Sequence, residues 1–531
     1  MRSVLKRLAT EPCRAEPIAF GEALAFSEEY TDLKRAHPGL TNFEESADSP
    51  DAAAPSQHHV VRWITRTGER RWNVEVDASG TSAEVFVKAA PILNPISFLR
   101  GDYTAPAQAL LPLMDDRWQT TFRRIHSRNN QAYVDSVAAF VLSRFRECDM
   151  SPHFPLFYGS AVALAKGYRY NLSDEFESYR QCRWFWRGVR DRGVKLEMKP
   201  GDDPDLVECV MGCPFKDDEL GDADTDSDVE SELSSIHVGE EVTSLGELES
   251  VGEFEDLQPM SDDEDEDASD DSSGEEIDYE MTATIPGLPV TLIYQEAHRG
   301  TMDELLDLDA IGSVKRGTKA WDSLWLAWLW QIVAALTFAQ RHIDFTHNDL
   351  HTNNIVWRET KQKYIWYRAH DGTTWRVPTH GKIFAIIDYG RAIFRVHNKH
   401  WLSDEFLRSE DAGGQYNYGP IYDKTRPKVM PNRSFDLCRL AISVLDGLYP
   451  DELPETKPAL CELLWSWTVD DAGNTVYAEA DEEDPHPGFE LYVHIAAHCH
   501  AAVPVEQMRR PAFDQFKANE RPPAGTRVYM L

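Results

Sequence analysis

Residues 324–339 read Leu-Trp-Leu-Ala-Trp-Leu-Trp-Gln-Ile-Val-Ala-Ala-Leu-Thr-Phe-Ala, and eight residues further on the chain turns polar at His347-Asn-Asp-Leu-His-Thr-Asn-Asn354. This junction constrains the fold more than any other feature. The apolar run is 16 residues long with Gln331 inside it, short for a bilayer span. It is expected to be a buried helix, with Trp321, Trp325, Trp328 and Trp330 packing in a core. Ile355-Val-Trp357, just after the polar loop, reads as a strand. A second apolar run, 383–387, reads as another strand and leads into Asp388-Tyr-Gly390. Helix, polar loop, strand, strand and aspartate follow one another in that order.

The residue types at these two places share one chemistry. Transfer of a phosphoryl group needs a carboxylate to orient the attacking hydroxyl. It needs a second carboxylate and an amide to hold Mg²⁺ on nucleotide phosphates. Asp349 supplies the first, and Asp388 with Asn354 supplies the second. A polar loop after a buried helix is the blander reading. It accounts for either motif alone, but not for both together with their flanks.

Composition sets the remaining bounds. With 531 residues the chain is long enough for two lobes or domains, and 42% hydrophobic content is that of a globular protein. The net charge of −36 is concentrated between residues 217 and 280, which carry 28 Asp and Glu and no Lys or Arg. The rest of the chain carries −8, ordinary for a folded protein. A run this acidic repels itself and has too little to bury, so it is expected to be disordered. It argues against binding of nucleic acid or an anionic membrane by that run, and it leaves room for a basic partner. Ser227, Ser261, Ser269 and Ser272 lie among its carboxylates, where an acidophilic kinase could modify them. The eight cysteines are scattered, which fits a reducing compartment such as the cytoplasm. Neither Cys209 and Cys213 nor the His498-Cys499-His500 cluster has the paired spacing of a zinc module. Residues 1–20 hold no apolar stretch for a signal peptide.

Along the chain, 1–57 reads as an N-terminal extension. Three β-prone runs follow, at 60–64, 72–76 and 83–88, separated by turns at Gly68 and Gly80. Val134, Val137, Ala138, Val141, Leu142 and Phe145 recur at helical spacing in 131–148. A strand is expected from Ala161 to Leu164, and another at 288–296 after the acidic insertion. Thr301, with Glu304 three residues on, reads as the cap of a helix starting near Gly300.

With these elements in place the chain resembles the protein kinase superfamily. Within it, the chain is similar to the divergent serine/threonine kinase-like proteins of large DNA viruses. The residues that carry the likeness are Val85-Phe-Val-Lys-Ala-Ala-Pro-Ile-Leu-Asn-Pro95, Phe157-Tyr-Gly159, Thr346 to Ile355, Val377 to Ile383, Ile386 to Ala392 and Pro431 to Leu440. The resemblance implies an α+β, bilobal fold. The N-lobe would be β-rich, taking 58–216 and 281–297 around the disordered acidic insertion at 217–280. A mainly helical C-lobe would take 298–531. It implies ATP and Mg²⁺ as cofactors and a protein hydroxyl as acceptor. Asp349 would orient that hydroxyl, and Asn354 and Asp388 would hold the metal. Lys88 would bind the α- and β-phosphates and pair with a helix carboxylate, either Asp135 or Glu147. The backbone near Glu296, Ala297 and His298 would meet adenine. His347 would pack under the loop, and Asp436 would hold the loop backbone. A viral member would work in the host cytoplasm or the virion.

The sequence also departs from that pattern. No Gly-x-Gly-x-x-Gly precedes Lys88, Asn348 stands where an Arg is usual, His351 replaces a Lys, and no Ala-Pro-Glu closes the segment after Gly390. Asn348 makes control by phosphorylation of that segment unexpected. Three functions stay open at this point: an atypical serine/threonine kinase, a pseudokinase scaffold that keeps the fold without turnover, and a small-molecule phosphotransferase.

Overall fold

The computed structural model describes residues 15–17, 25–36, 60, 62–76, 80–104, 116–200, 209–210, 279–396, 399–408, 410–450, 452–478 and 486–531. Most of the N-terminal extension and all but the last two residues of the acidic insertion lie outside that set. The described residues are mixed α and β and fall into two compact units.

The larger unit is built on a curled antiparallel sheet of seven strands. In chain order these are β1 (Ala15–Pro17), β2 (Tyr30–Ala36), β3 (Arg62–Gly68), β4 (Arg71–Glu75), β5 (Ser82–Pro91), β6 (Phe157–Ala165) and β7 (Pro289–Glu296). Their order in the sheet is β1-β2-β6-β7-β5-β4-β3. Val290 to Tyr294 of β7 are all buried, which suits the strand between β6 and β5. Ile293 pairs with Lys88 on one side and with Ser160 on the other. The three β-prone runs read from the sequence are β3, β4 and β5.

Two helices of the larger unit lie between β5 and β6. Helix α1 is Asp116–His126 and α2 is Gln131–Glu147. Asn130 caps α2 by accepting from the Ala132 amide at 3.1 Å, and its own amide donates to the Ile92 carbonyl at 2.7 Å. The cap therefore fixes α2 against the end of β5.

Helix α3, Lys319–Ile343, is the long apolar element. Thr318 caps it, accepting from the Trp321 amide at 3.2 Å, and Asp344 ends it in the left-handed region at φ 49°. It is apolar on all sides because it is buried on all sides: Trp325, Trp328 and Trp330 are each 0% exposed. Removing one such indole costs about 3–5 kcal/mol. Beyond α3 come β8 (Ile355–Glu359), β9 (Lys382–Ile386), α4 (Phe435–Leu448) and α5 (Glu490–His498). The helix expected near Gly300 is instead one 3-10 turn at Asp303–Leu305, with Thr301 Oγ1 accepting from the Glu304 amide at 3.3 Å. The cap forms, but Gly300 and Thr301 pair as a strand with Trp357 and Val356, and this leaves no length for a helix.

The smaller unit comprises 95–104 and 166–288. Part of it falls within the span 58–216 expected to be the first part of an N-lobe. Strands Tyr168–Asn171, Tyr279–Ile285, Lys195–Pro200 and Cys209–Val210 make a separate antiparallel sheet in that order. Helix Arg183–Arg192 packs on helix Pro95–Arg100 within this unit. The approach is so close that a Cβ at Gly188 would sit 2.1 Å from the Leu99 carbonyl oxygen, so only glycine fits there.

Candidate active site

Lys88 lies on β5 with its side chain 23% exposed. Its ammonium is 2.5 Å from Asp135 Oδ2 and 2.7 Å from Asp388 Oδ1. Asp135 is one helical turn into α2 and 1% exposed. Its other oxygen accepts from the Tyr389 amide at 3.0 Å. One buried carboxylate therefore joins β5, α2 and the loop after β9. Glu147, the other candidate partner, pairs with Arg144 on its own helix. Burial opposes the Lys88 charge, but the two carboxylates outweigh it and hold its pKa above that of an ordinary lysine. Burial likewise opposes ionisation of Asp388, and Lys88 outweighs it, holding that carboxyl below its usual range.

The far end of α2 is fixed as well. Arg146 contacts both carboxylate oxygens of Glu296, at 3.3 and 3.4 Å, and donates to the Phe154 carbonyl at 3.0 Å. Burial raises the Glu296 pKa, but Arg146, His298 and Arg358 outweigh it and hold the group ionised. The backbone at 296–298 is engaged within the fold. The Glu296 amide donates to the Leu156 carbonyl at 2.9 Å and the Ala297 amide to the Glu84 carbonyl at 3.0 Å. The His298 carbonyl accepts from the Arg71 guanidinium at 2.8 Å. Arg71 opens β4, directly after the turn that holds Gly68. A Cβ at Gly68 would meet its nearest neighbour at 3.7 Å, ordinary contact, so that turn has no steric need of glycine.

The polar loop after α3 is held from below by Asp436, which is 0% exposed near the start of α4. Its carboxylate accepts from the His347 amide at 3.0 Å and the Asn348 amide at 2.9 Å. The His347 ring, also 0% exposed, meets the Ile387 carbonyl at 2.8 Å. This ties the first motif to the second. Asn348 has φ 65°, a left-handed conformation that Asn tolerates better than most residues. Its side-chain amide donates to the Arg391 carbonyl at 2.8 Å, and its oxygen accepts from the Tyr416 hydroxyl at 2.7 Å. The residue standing in for the usual Arg is thus a backbone tie, neutral and buried.

Strand register brings Asn354 and Asp388 to the same end of one strand pair. Ile355 of β8 pairs with Ile386 of β9, and the Ile387 amide donates to the Asn354 carbonyl at 3.0 Å. Asn354 therefore precedes one strand where Asp388 follows the other, at the same end of the pair. Asp388 also has a left-handed backbone, φ 64°. The Asn354 side chain donates to the Asp349 carbonyl at 2.8 Å and lies 3.1 Å from His351 Nε2. The Asp388 carboxylate and the Asn354 amide oxygen are donors of the hard kind that suits Mg²⁺. Among the described residues no group of three His, Cys, Asp or Glu is gathered as a metal cluster.

Three residues around Asp349 were not read from the sequence. Tyr492 of α5 donates to Asp349 Oδ1 at 2.8 Å, and Arg439 Nε of α4 donates to that same hydroxyl at 3.1 Å. Arg391 Nη1 lies 3.8 Å from Asp349 Oδ1. Arg391 directly follows Asp388-Tyr-Gly390, so its position was a usable signal. Tyr492 is 143 residues from Asp349, and no local pattern marks it.

No protein-family model matches the chain. A stretch of 61 residues, 12% of the chain, is 41% identical to the mouse serine/threonine-protein kinase haspin. The match spans 8% of that protein's length, and over it the chain is similar to a protein kinase.

Proposed function

We propose that the protein is an ATP- and Mg²⁺-dependent phosphotransferase, an atypical serine/threonine protein kinase that moves a phosphoryl group to a protein hydroxyl. The observation that carries this reading is the Lys88 ammonium held between Asp135 and Asp388, at 2.5 and 2.7 Å. A structural lysine needs one carboxylate. A lysine kept charged by two, one of them half exposed beside Asn354, is poised to exchange a carboxylate for phosphate oxygens.

In this reading Lys88 binds and orients the nucleotide phosphates, and Asp135 holds its ammonium in place. Asp388 and Asn354 would hold Mg²⁺, which when bound neutralises charge on those phosphates. Asp349 accepts the proton of the acceptor hydroxyl or orients it. Asp436 and His347 keep the loop that carries Asp349 in one conformation. The short similarity to a serine/threonine-protein kinase supports the reading.

One observation favours a second reading, a scaffold with the fold but little turnover. Two amides at 296–297 are already bonded, and Arg71 occupies the His298 carbonyl, so a base would have to displace these partners. The two readings separate in a magnesium-dependent ATPase and peptide-phosphorylation assay with an Asp349→Asn control. Turnover lost in Asp349→Asn supports the enzyme. ATP with Mg²⁺ is also expected to raise the melting temperature of the wild type but not of Asp388→Ala. Equal stabilisation of both would remove Asp388 from the site.

A further inference from the structure

Arg391 and Arg439 both lie against the ring of Tyr492, whose hydroxyl bonds Asp349, and neither guanidinium is used up by the fold. Arg391 has a side chain only 21% exposed. Its nearest carboxylate oxygen, Asp349 Oδ1 at 3.8 Å, is beyond hydrogen-bond reach. Its other contacts are with ring faces, the guanidinium carbon lying 5.9 Å from the centroids of both Phe489 and Tyr492. Among the described residues no acceptor lies within hydrogen-bond distance of its five N–H groups. Glu405 and Asp411 act on it from longer range, and Glu405 is already bonded to Arg124 at 2.6 Å. Arg439 spends Nε on the Tyr492 hydroxyl and stacks on that ring at 5.4 Å. Asp446 is within its electrostatic reach, but none of its remaining donors has a hydrogen-bond partner among the described residues.

A mostly buried guanidinium without an acceptor is costly unless something else fills it. We propose that Arg391 and Arg439 form an anion-binding subsite on the acceptor side of Asp349, so that the phosphorylated hydroxyl belongs to a peptide carrying Asp, Glu or phosphoserine beside it. This deepens the kinase reading and rests on it. An acceptor oxygen bonded to Asp349 would lie about 7 Å from the Arg391 guanidinium, which is one or two residues of extended chain. Guanidinium forks match carboxylate and phosphate geometry, which explains Arg rather than Lys at both positions.

The test uses the full chain with Mg²⁺ and ATP and three peptides with one serine each, flanked by Glu, by Ala or by Lys. The expected kcat/KM for the Glu peptide exceeds that for the Ala peptide by about tenfold or more. Arg391→Ala and Arg439→Ala each shrink that ratio, and the double variant brings it near one, with melting temperatures recorded for each. A labelled phosphoserine peptide supplies a second readout by fluorescence anisotropy, with weaker binding expected in both variants. Equal or better use of the Ala or Lys peptide by the wild type overturns the subsite and leaves the kinase reading standing. So does an acidic preference that survives in the double variant. Arginine-dependent peptide binding without any ATP turnover overturns the kinase reading and leaves the subsite standing.

Discussion

The Tyr492 hydroxyl donates to Asp349 Oδ1 at 2.8 Å, bringing a residue of α5 onto the carboxylate at the centre of the candidate site. The ring is held independently of that bond, stacked on Phe489 at 5.3 Å and tilted against Phe435 at 5.8 Å. The hydroxyl can thus fix the carboxylate rotamer without α5 depending on it.

Tyr492→Phe tests this. The packing survives and two hydrogen bonds to charged groups are lost, one donated to Asp349 and one accepted from Arg439, so stability falls by about 2 kcal/mol or more. Phosphotransfer kcat is expected to fall about threefold to tenfold while KM for ATP stays put, because Tyr492 touches neither Lys88 nor Asp388. Steady-state kinetics on one peptide decide it. A rise in kcat would mean that the phenol obstructs the acceptor rather than ordering the base.

Lys88→Met leaves Asp135, 1% exposed, with the Tyr389 amide but without its cation. Breaking a buried pair from one side costs about 3 kcal/mol or more. The variant should lose that much in urea unfolding and should lose Mg²⁺-ATP stabilisation as well. The double variant Lys88→Met with Asp135→Leu should recover most of the stability and none of the nucleotide response. If stability recovers and the nucleotide response returns with it, Lys88 is structural.

Much of this site was legible because local sequence carries it. Lys88 ends a β-run, Asp349 and Asn354 share one loop, and Asp388 follows an apolar strand. Asp436 sits in a Ser-Phe-Asp start that pointed to the loop-holding bond now visible with His347 and Asn348. What stayed hidden depends on distance or on competition between elements. The Arg124 contacts with Asp404 and Glu405 join residues about 280 apart, and charged side chains in loops give no periodicity to read. The smaller unit was missed because its strands at 168–171 and 195–200 are short and flanked by helices. Their pairing partner at 279–285 lies beyond the acidic run.

Asp436 is predicted to set the order of the loop that carries Asp349. Asp436→Asn keeps the volume but turns one acceptor oxygen into a donor facing the amides of His347 and Asn348. The cost is about 2 kcal/mol, and those two amides should exchange hydrogen faster. Exchange measured on a peptide spanning both residues checks it. Unchanged protection there, with kcat reduced, would assign Asp436 a role other than holding the backbone.

The segment after Gly390 is expected to respond to pH. Arg124 of α1 is shared by Asp404, Glu405 and Glu410, at 3.1, 2.6 and 3.1 Å, and Asp411 adds its charge nearby. One guanidinium cannot neutralise so many carboxylates. Burial, with Asp411 adding to it, pushes the Glu405 carboxyl up from 4.5 to about 8, and burial pushes Asp404 from 3.8 to about 6. Between about pH 4.5 and 8 the folded Glu405 holds a proton that the unfolded chain has released. Its contribution is therefore fully present below the lower value and is lost as pH rises through the upper one. His153 and His298, lowered by burial to about 3 and about 4, act oppositely below the ordinary histidine range, so whole-protein stability mixes the two trends. The difference between wild type and Glu405→Gln isolates the carboxyl, since Gln keeps an acceptor for Arg124 and cannot ionise. The two proteins should be close in stability at pH 5, and the variant should be the more stable at pH 9. Asp404 also accepts from the Gln131 amide at 3.0 Å, so this cluster meets the start of α2, the helix that carries Asp135. Nucleotide affinity of the wild type should weaken over the same pH range if that link is mechanical. Parallel stability curves for the two proteins from pH 5 to 9 would show that Glu405 is ionised throughout and that Arg124 balances the cluster after all.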